Sequence, residues 1–204
     1  MQGFLHHAEI PSGCLVLTHG AGGNCNAPLL VALADRFAAT GIATLRFNLP
    51  FRQRRPTGPP SPSDAKQDQE GLRRAASLMK EKFGGVTLLG GASYGGRQAS
   101  MLVAADPALV NGLLLLSYPL HPPGRPAQLR TAHLPQVQVP ALFISGTRDP
   151  FGSIDELEAA IKLIPARTRL LSIEGAGHSL LQKSNRERLP VEISQALSAF
   201  FFKQ

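Results

Sequence analysis

Tryptophan is absent from this chain of 204 residues, and tyrosine and cysteine occur twice each. Each shortage removes a class of function. Cys14 lies in a continuous apolar run and Cys25 in a predicted loop, so two such residues build neither a disulfide framework nor a metal-ligand spacing, and a reducing compartment is expected. No stretch reaches the roughly 18 apolar residues of a membrane span. Residues 1–7 lack the basic start and apolar centre of a secretory signal, so a cytoplasmic location is expected, with no membrane partner. The net charge of +7 invites nucleic acid, but that reading needs aromatics for stacking among the basic residues, and most phenylalanines fall in apolar helix or strand patterns. A small acidic molecule is the better expectation for the charge. A hydrophobic content of 43% supports one substantial core rather than two, so residues 1–204 are expected to form a single domain.

What is present is a repeated rhythm. Residues 14–18 form a short apolar strand that runs into His19-Gly20-Ala21-Gly22-Gly23, and Leu30, Leu33 and Phe37 then recur at helical spacing up to Gly41. Residues 42–46 read as a second strand. Residues 47–64 carry five prolines with Arg52, Arg54 and Arg55 and read as a long loop. Leu72, Ala76, Met79 and Phe83 mark a helix ending at Gly84-Gly85, and further strands are expected over 86–90, 112–117, 141–145 and 168–174. Ser153-Ile154-Asp155-Glu156 is a capping box opening one more helix, and Leu189, Ile193, Leu197 and Phe200 stripe a closing one. Strands alternating with helices demand a mostly parallel sheet of about six or seven strands covered on both faces, a three-layer α/β fold. Ligands in such sheets bind beyond the carboxyl ends of the strands.

The chemistry gathers at those ends. Gly91-Ala92-Ser93-Tyr94-Gly95 sits where the strand over 86–90 meets a proline-free helical stretch, the context of a nucleophile elbow, in which glycines spare a tight turn from side-chain collisions and a strained serine projects its hydroxyl. A serine hydroxyl needs an imidazole to take its proton and a carboxylate to hold that imidazole in the right tautomer. Asp149, in Gly146-Thr147-Arg148-Asp149, comes 56 positions after Ser93, and His178, in Gly175-Ala176-Gly177-His178, 29 positions later. Each lies just past a predicted strand, in the order Ser, Asp, His.

On these four motifs the chain, from about Gly13 onward, resembles the α/β-hydrolase superfamily. Within it the chain is similar to the small lidless hydrolases related to dienelactone hydrolases and to the hydrolase-like domain of the chromatin-associated non-specific-lethal complex subunit. The resemblance implies an α/β-hydrolase fold without a separate lid domain, Ser93 as nucleophile, His178 as general base and then acid, and Asp149 as its orienting carboxylate. It also implies an oxyanion hole from the backbone N–H of Tyr94 with a second N–H from the glycine loop, Ala21 or else Gly22. His19 is expected to orient that loop by a hydrogen bond. A serine nucleophile disfavours the aspartate-dependent dehalogenase and epoxide hydrolase chemistries. The expected reaction is hydrolysis of a small ester, thioester or lactone, with no cofactor and no metal.

The connection over residues 118–140, where larger relatives insert a lid, is 23 residues long, so an open site is expected with Tyr118, Leu120 and His121 at its mouth. Arg52, Arg54 and Arg55, together with Arg97 and Arg148, could face the same end of the sheet, and Arg52 is expected to touch an anionic or polar substrate. The alternative is a catalytically silent module of the same fold that docks an acidic partner through these arginines. A peptidase is a third possibility, though relatives that cut peptides usually carry an extra domain.

Overall fold

The computed structural model describes residues 2–202. Seven strands make one sheet in the order β1-β3-β2-β4-β5-β6-β7. They are β1 (Gly3–His6), β2 (Gly13–Thr18), β3 (Ile42–Phe47), β4 (Val86–Ala92), β5 (Gly112–Leu116), β6 (Ala141–Gly146) and β7 (Thr168–Ile173). All neighbours pair in parallel except β1, which lies antiparallel on β3 with Gly3 opposite Phe47. β2, β3, β5 and β6 are buried along their whole length, as continuous apolar runs require when helices cover both faces. β1, half-exposed at the edge, is the strand that the apolar pattern does not predict, because an edge strand of four residues needs no such run.

The helices are α1 (Pro28–Ala39), a short α2 (Pro50–Arg54), α3 (Ala65–Phe83), α4 (Tyr94–Ala105), α5 (Ile154–Ile161) and α6 (Arg188–Phe201). Two apolar clusters flank the sheet. One joins α3, α4 and α5 to β2–β6 through Leu72, Ala99, Val103, Phe143 and Leu157. The other joins α1 and α6 through Leu30, Leu33, Phe37, Ile193 and Leu197. The expected capping box opens α5: Ser153 Oγ accepts the Glu156 N–H at 3.2 Å, and the Glu156 carboxylate accepts the Ser153 N–H at 2.8 Å. Among the described residues no helix is long and apolar enough to cross a membrane.

Candidate active site

β4 delivers Ser93 to the carboxyl edge of the sheet, and the turn into α4 holds it at φ 49°, ψ −115°, a left-handed conformation that a serine adopts at a cost of about 1–3 kcal/mol. Close approach dictates the glycines around it. A Cβ at Gly91 would stand 2.7 Å from the backbone of Gly95 and Gly96, and one at Gly95 would stand 2.5 Å from the His19 carbonyl oxygen. A backbone bond from the Ser93 N–H to the Leu116 carbonyl, 2.8 Å, ties the elbow to β5.

Asp149 and His178 approach from the loops after β6 and β7. Those loops are stitched together: the Arg148 N–H donates to the Ala176 carbonyl at 2.9 Å, and the Gly175 N–H donates to Thr147 Oγ1 at 2.9 Å. A Cβ at Gly146 would come within 2.2 Å of the Ala176 oxygen, so only glycine admits this contact. His178 Nδ1 lies 2.8 Å from Asp149 Oδ2 and 3.0 Å from Oδ1, while Nε2 lies 2.9 Å from Ser93 Oγ. The carboxylate side chain is 1% exposed and also accepts the Phe151 N–H at 2.9 Å. Residues far apart in the chain are therefore in hydrogen-bond contact in one line, Ser93 to His178 to Asp149.

Two supporting side chains escaped the sequence. The Phe151 ring stacks on the His178 imidazole with centroids 4.1 Å apart and planes at 30°; its place two residues after Asp149 was the available signal. Asp68, fully buried on α3, accepts the Tyr94 hydroxyl at 2.8 Å and the Phe51 N–H at 2.9 Å. Burial raises the Asp68 carboxyl above the usual carboxylate range, and nothing in an otherwise polar helix face marks it.

The glycine loop is held from two sides. His19 Nδ1 lies 2.8 Å from the Gly20 carbonyl and Nε2 accepts the Leu49 N–H at 3.1 Å, an arrangement that requires the neutral ring protonated at Nδ1. Burial first, with the Arg52 charge adding to it, lowers His19 to about 4. Arg52 itself corrects the expectation of a substrate contact. It is 5% exposed, and its guanidinium donates to the carbonyls of Gly23 (2.8 Å), Ala21 (2.8 Å), Gly58 (2.9 Å) and Arg55 (3.1 Å). It is a clamp on the loop, with its donors turned inward. Arg54 and Arg55 pair with Asp64 at 2.6 and 2.5 Å. The N–H groups of Tyr94, Ala21 and Gly22 have no intramolecular acceptor among the described residues.

A cavity of about 420 Å³ opens beside Ser93 and His178, walled by Ala27, Pro28, Leu29, Leu30, Leu116 and Leu180. It lies on the α1 and α6 side of the sheet, which overturns the expected mouth. Tyr118, Leu120 and His121 are 1%, 1% and 6% exposed and line no part of this cavity. Ser117 has φ 47° and turns the chain there, so Tyr118 drops into the other cluster against Phe143, centroids 5.9 Å apart. Leu120 lies over Gly152, where a Cβ would stand 2.9 Å from it, and His121 faces Glu156 at 3.5 Å. A larger groove of about 730 Å³ beside His6, Asp35 and Gly41 lies at the opposite end of the sheet. Among the described residues no group of three or more His, Cys, Asp or Glu side chains is placed to hold a metal ion.

Residues 11–200 match the model of a family described as an alpha/beta hydrolase domain. Among solved structures the chain is similar to a dienelactone hydrolase from Anabaena variabilis, with 23% identity, 98% of this chain and 89% of that one covered, and a TM-score of 0.75. It is also similar to Est1E from Butyrivibrio proteoclasticus (16% identity, 100% and 94% covered, TM-score 0.76) and to an esterase domain from a Rhodothermus marinus protein (15%, 97% and 90%, 0.70). At these identities the likeness is one of fold. Among curated proteins, a polyketide synthase, ThaQ of Burkholderia thailandensis, is 44% identical over 50 residues, which are 24% of this chain and 2% of that protein.

Proposed function

The chain belongs to the alpha/beta hydrolase domain family, and from that premise we propose that it is a serine hydrolase of small ester-type substrates working through an acyl-enzyme. The observation that carries the proposal is the 2.9 Å approach of His178 Nε2 to Ser93 Oγ, with Nδ1 at 2.8 Å from a buried Asp149. The Nδ1 proton on the carboxylate leaves the Nε2 lone pair facing the serine hydroxyl. As Oγ attacks the carbonyl carbon, Nε2 takes the hydroxyl proton. The carbonyl oxygen becomes an oxyanion, stabilised by the N–H of Tyr94 and that of Ala21 or Gly22. Collapse breaks the bond to the leaving group, which departs with the His178 proton. Water then gives a proton to His178, attacks the acyl carbon, and releases the acid and Ser93 in turn. The apolar walls of the neighbouring cavity suit the acyl chain.

A fluorophosphonate probe tests the reading. Stoichiometric labelling at Ser93 is expected, abolished in Ser93→Ala and strongly slowed in His178→Ala. Asp149→Asn, which leaves the imidazole in the wrong tautomer, should lower kcat by about 10⁴-fold. Absence of labelling in the wild type would refute the hydrolase and leave the silent interaction module.

A further inference from the structure

Backbone strain in this chain converges on one place. Three non-glycine residues among those described have φ in the left-handed region, Ser93 (49°), Ser117 (47°) and Leu180 (60°), and all three line the 420 Å³ cavity beside the nucleophile. Such conformations gather where a site needs a particular side chain in a particular place. Ser93 is strained to project its hydroxyl, and Ser117 turns the chain away toward the other cluster. Leu180 has neither task.

Leu180 follows His178 by two residues and is the central residue of a γ-turn. The Leu181 N–H donates to the Ser179 carbonyl at 2.7 Å, which with φ 60° is the rare and strained hand of that turn. Its surroundings hold it there. The Leu180 N–H donates to the Gly177 carbonyl at 3.1 Å, and the Leu180 carbonyl accepts Asn185 Nδ2 at 2.9 Å. Asn185 is buried, its Oδ1 accepts the Gln182 N–H at 2.7 Å, and Gln182 Nε2 donates to the Gly175 carbonyl at 3.0 Å. Every bond at residue 180 uses main-chain atoms, so glycine would keep them all and adopt the turn without strain. The strain on leucine is of the same order as the gain from burying its side chain, so stability does not account for it. What leucine adds is bulk at the cavity wall, where it belongs to the same apolar cluster as Leu29, Leu30 and Leu116. His178 is the single ionisable residue in that lining, so nothing there answers a charge on a bound chain.

We propose that Leu180 is the specificity-determining residue of this cavity, the wall that limits the length of an uncharged aliphatic acyl group. The kinetic consequence rests on the acyl-enzyme reading given above, whereas the pocket itself does not, so binding can be measured in Ser93→Ala.

Straight-chain p-nitrophenyl esters from acetyl to dodecanoyl give the profile. It is read as kcat/KM for each chain divided by that for acetyl, so that any effect of a variant on His178 cancels. In the wild type the ratio should rise and then fall at the length that fills the cavity. Leu180→Gly should move that optimum toward longer chains by about two to four carbons, the upper figure being the side chain removed. For an ester two methylenes beyond the wild-type optimum, the ratio should rise by about tenfold or more. Leu180→Ala should move it in the same direction, and carries the comparison should Leu180→Gly fail to fold. Leu129→Gly, at an exposed leucine outside the cavity, should leave the profile in place. A chain ending in a carboxylate should be disfavoured by at least about tenfold against the neutral chain of equal length. The second assay needs no chemistry: Kd for straight-chain primary amides is measured in Ser93→Ala, and adding Leu180→Gly should shift the preference toward longer amides. An optimum that stays in place in both leucine variants, in either assay, would overturn the assignment, and equal kcat/KM for charged and neutral chains would overturn the substrate class. If Ser93 takes no probe in the wild type, the acyl-enzyme reading fails and amide binding alone decides for or against Leu180.

Discussion

Arg52→Met removes the guanidinium while keeping most of the aliphatic stem, and four carbonyl oxygens lose their donor at once. Two of them, on Ala21 and Gly23, belong to the glycine loop, and those on Arg55 and Gly58 anchor the segment that covers it. Hydrogen bonds to a charged group are worth about 1.5–3 kcal/mol each, but the acceptors partly regain water once the clamp is gone. A stability loss of about 3–5 kcal/mol is expected, which a domain of ordinary stability survives. The catalytic cost follows from the same geometry. The Gly22 N–H, one of the two proposed loop donors to the oxyanion, shares its peptide with the Ala21 carbonyl that Arg52 fixes, and losing one preorganised oxyanion donor lowers kcat by about 10²- to 10³-fold. Urea unfolding gives the first number, and steady-state kinetics on a neutral and an anionic ester give the second. The kcat loss should be the same for both esters. Arg52→Lys should recover little of either, because a single ammonium cannot span acceptors arrayed around a planar fork. Unchanged stability and kcat, with KM raised for the anionic ester alone, would show that Arg52 reaches substrate and would refute this account.

His19 makes stability pH-dependent: it binds a proton near 6.5 in the unfolded chain and only at about 4 when folded, so the unfolded state takes the proton first as pH falls. Its contribution is therefore complete above about 6.5 and is lost progressively toward 4, by about 3 kcal/mol in all. His133 adds to that slope, whereas the raised carboxyl of Asp68 opposes it. His19→Asn should flatten the slope between these limits, and identical slopes in the two proteins would reject the assignment. Ser145 Oγ is buried without a partner, so Ser145→Ala should move the urea midpoint upward by about 1 kcal/mol of stability; a downward shift would show an unseen partner. Lengthening the acyl chain of a neutral ester should raise kcat/KM by roughly fourfold per methylene, at about 0.8 kcal/mol each, until the 420 Å³ cavity is filled. A flat series would place the acyl group elsewhere.

The elbow was legible because local signals agree there. A buried strand reads as an apolar run, the glycines mark a turn that no side chain fits, and the helix that follows lacks proline. The loops after β6 and β7 are legible because each follows a short strand and is marked by glycine, Gly146 before Asp149 and Gly175 and Gly177 before His178. Arg52 was misread because its acceptors are backbone carbonyls, 31 residues away at Ala21, and main-chain acceptors leave no trace in a sequence. Tyr118, Leu120 and His121 were placed correctly along the chain but on the wrong side of the sheet. The deciding feature is the positive φ of Ser117, a conformation that serine does not advertise. Glycine at that position would have signalled the turn.

The arrangement also explains which parts of the site must move together. β6 and β7 pair in register from Ala141 and Thr168 to Gly146 and Ile173. Their loops continue that pairing beyond the sheet through the Thr147 N–H on the Ile173 carbonyl at 3.1 Å and the Arg148 N–H on that of Ala176 at 2.9 Å. Asp149 and His178 are therefore carried by one hydrogen-bonded unit, in which a Cβ at Gly146 would stand only 2.2 Å from the Ala176 oxygen. Ser93 belongs to a different piece, fixed by the β4 turn and by the glycine loop, whose Gly20 leaves only 3.3 Å between an imagined Cβ and the Ser93 Cβ. The Nε2 to Oγ hydrogen bond is the seam between the two. Perturbations on either side are thus transmitted to one distance, and Arg52, which touches none of the three residues, can set it because it holds the loop against which Ser93 rests.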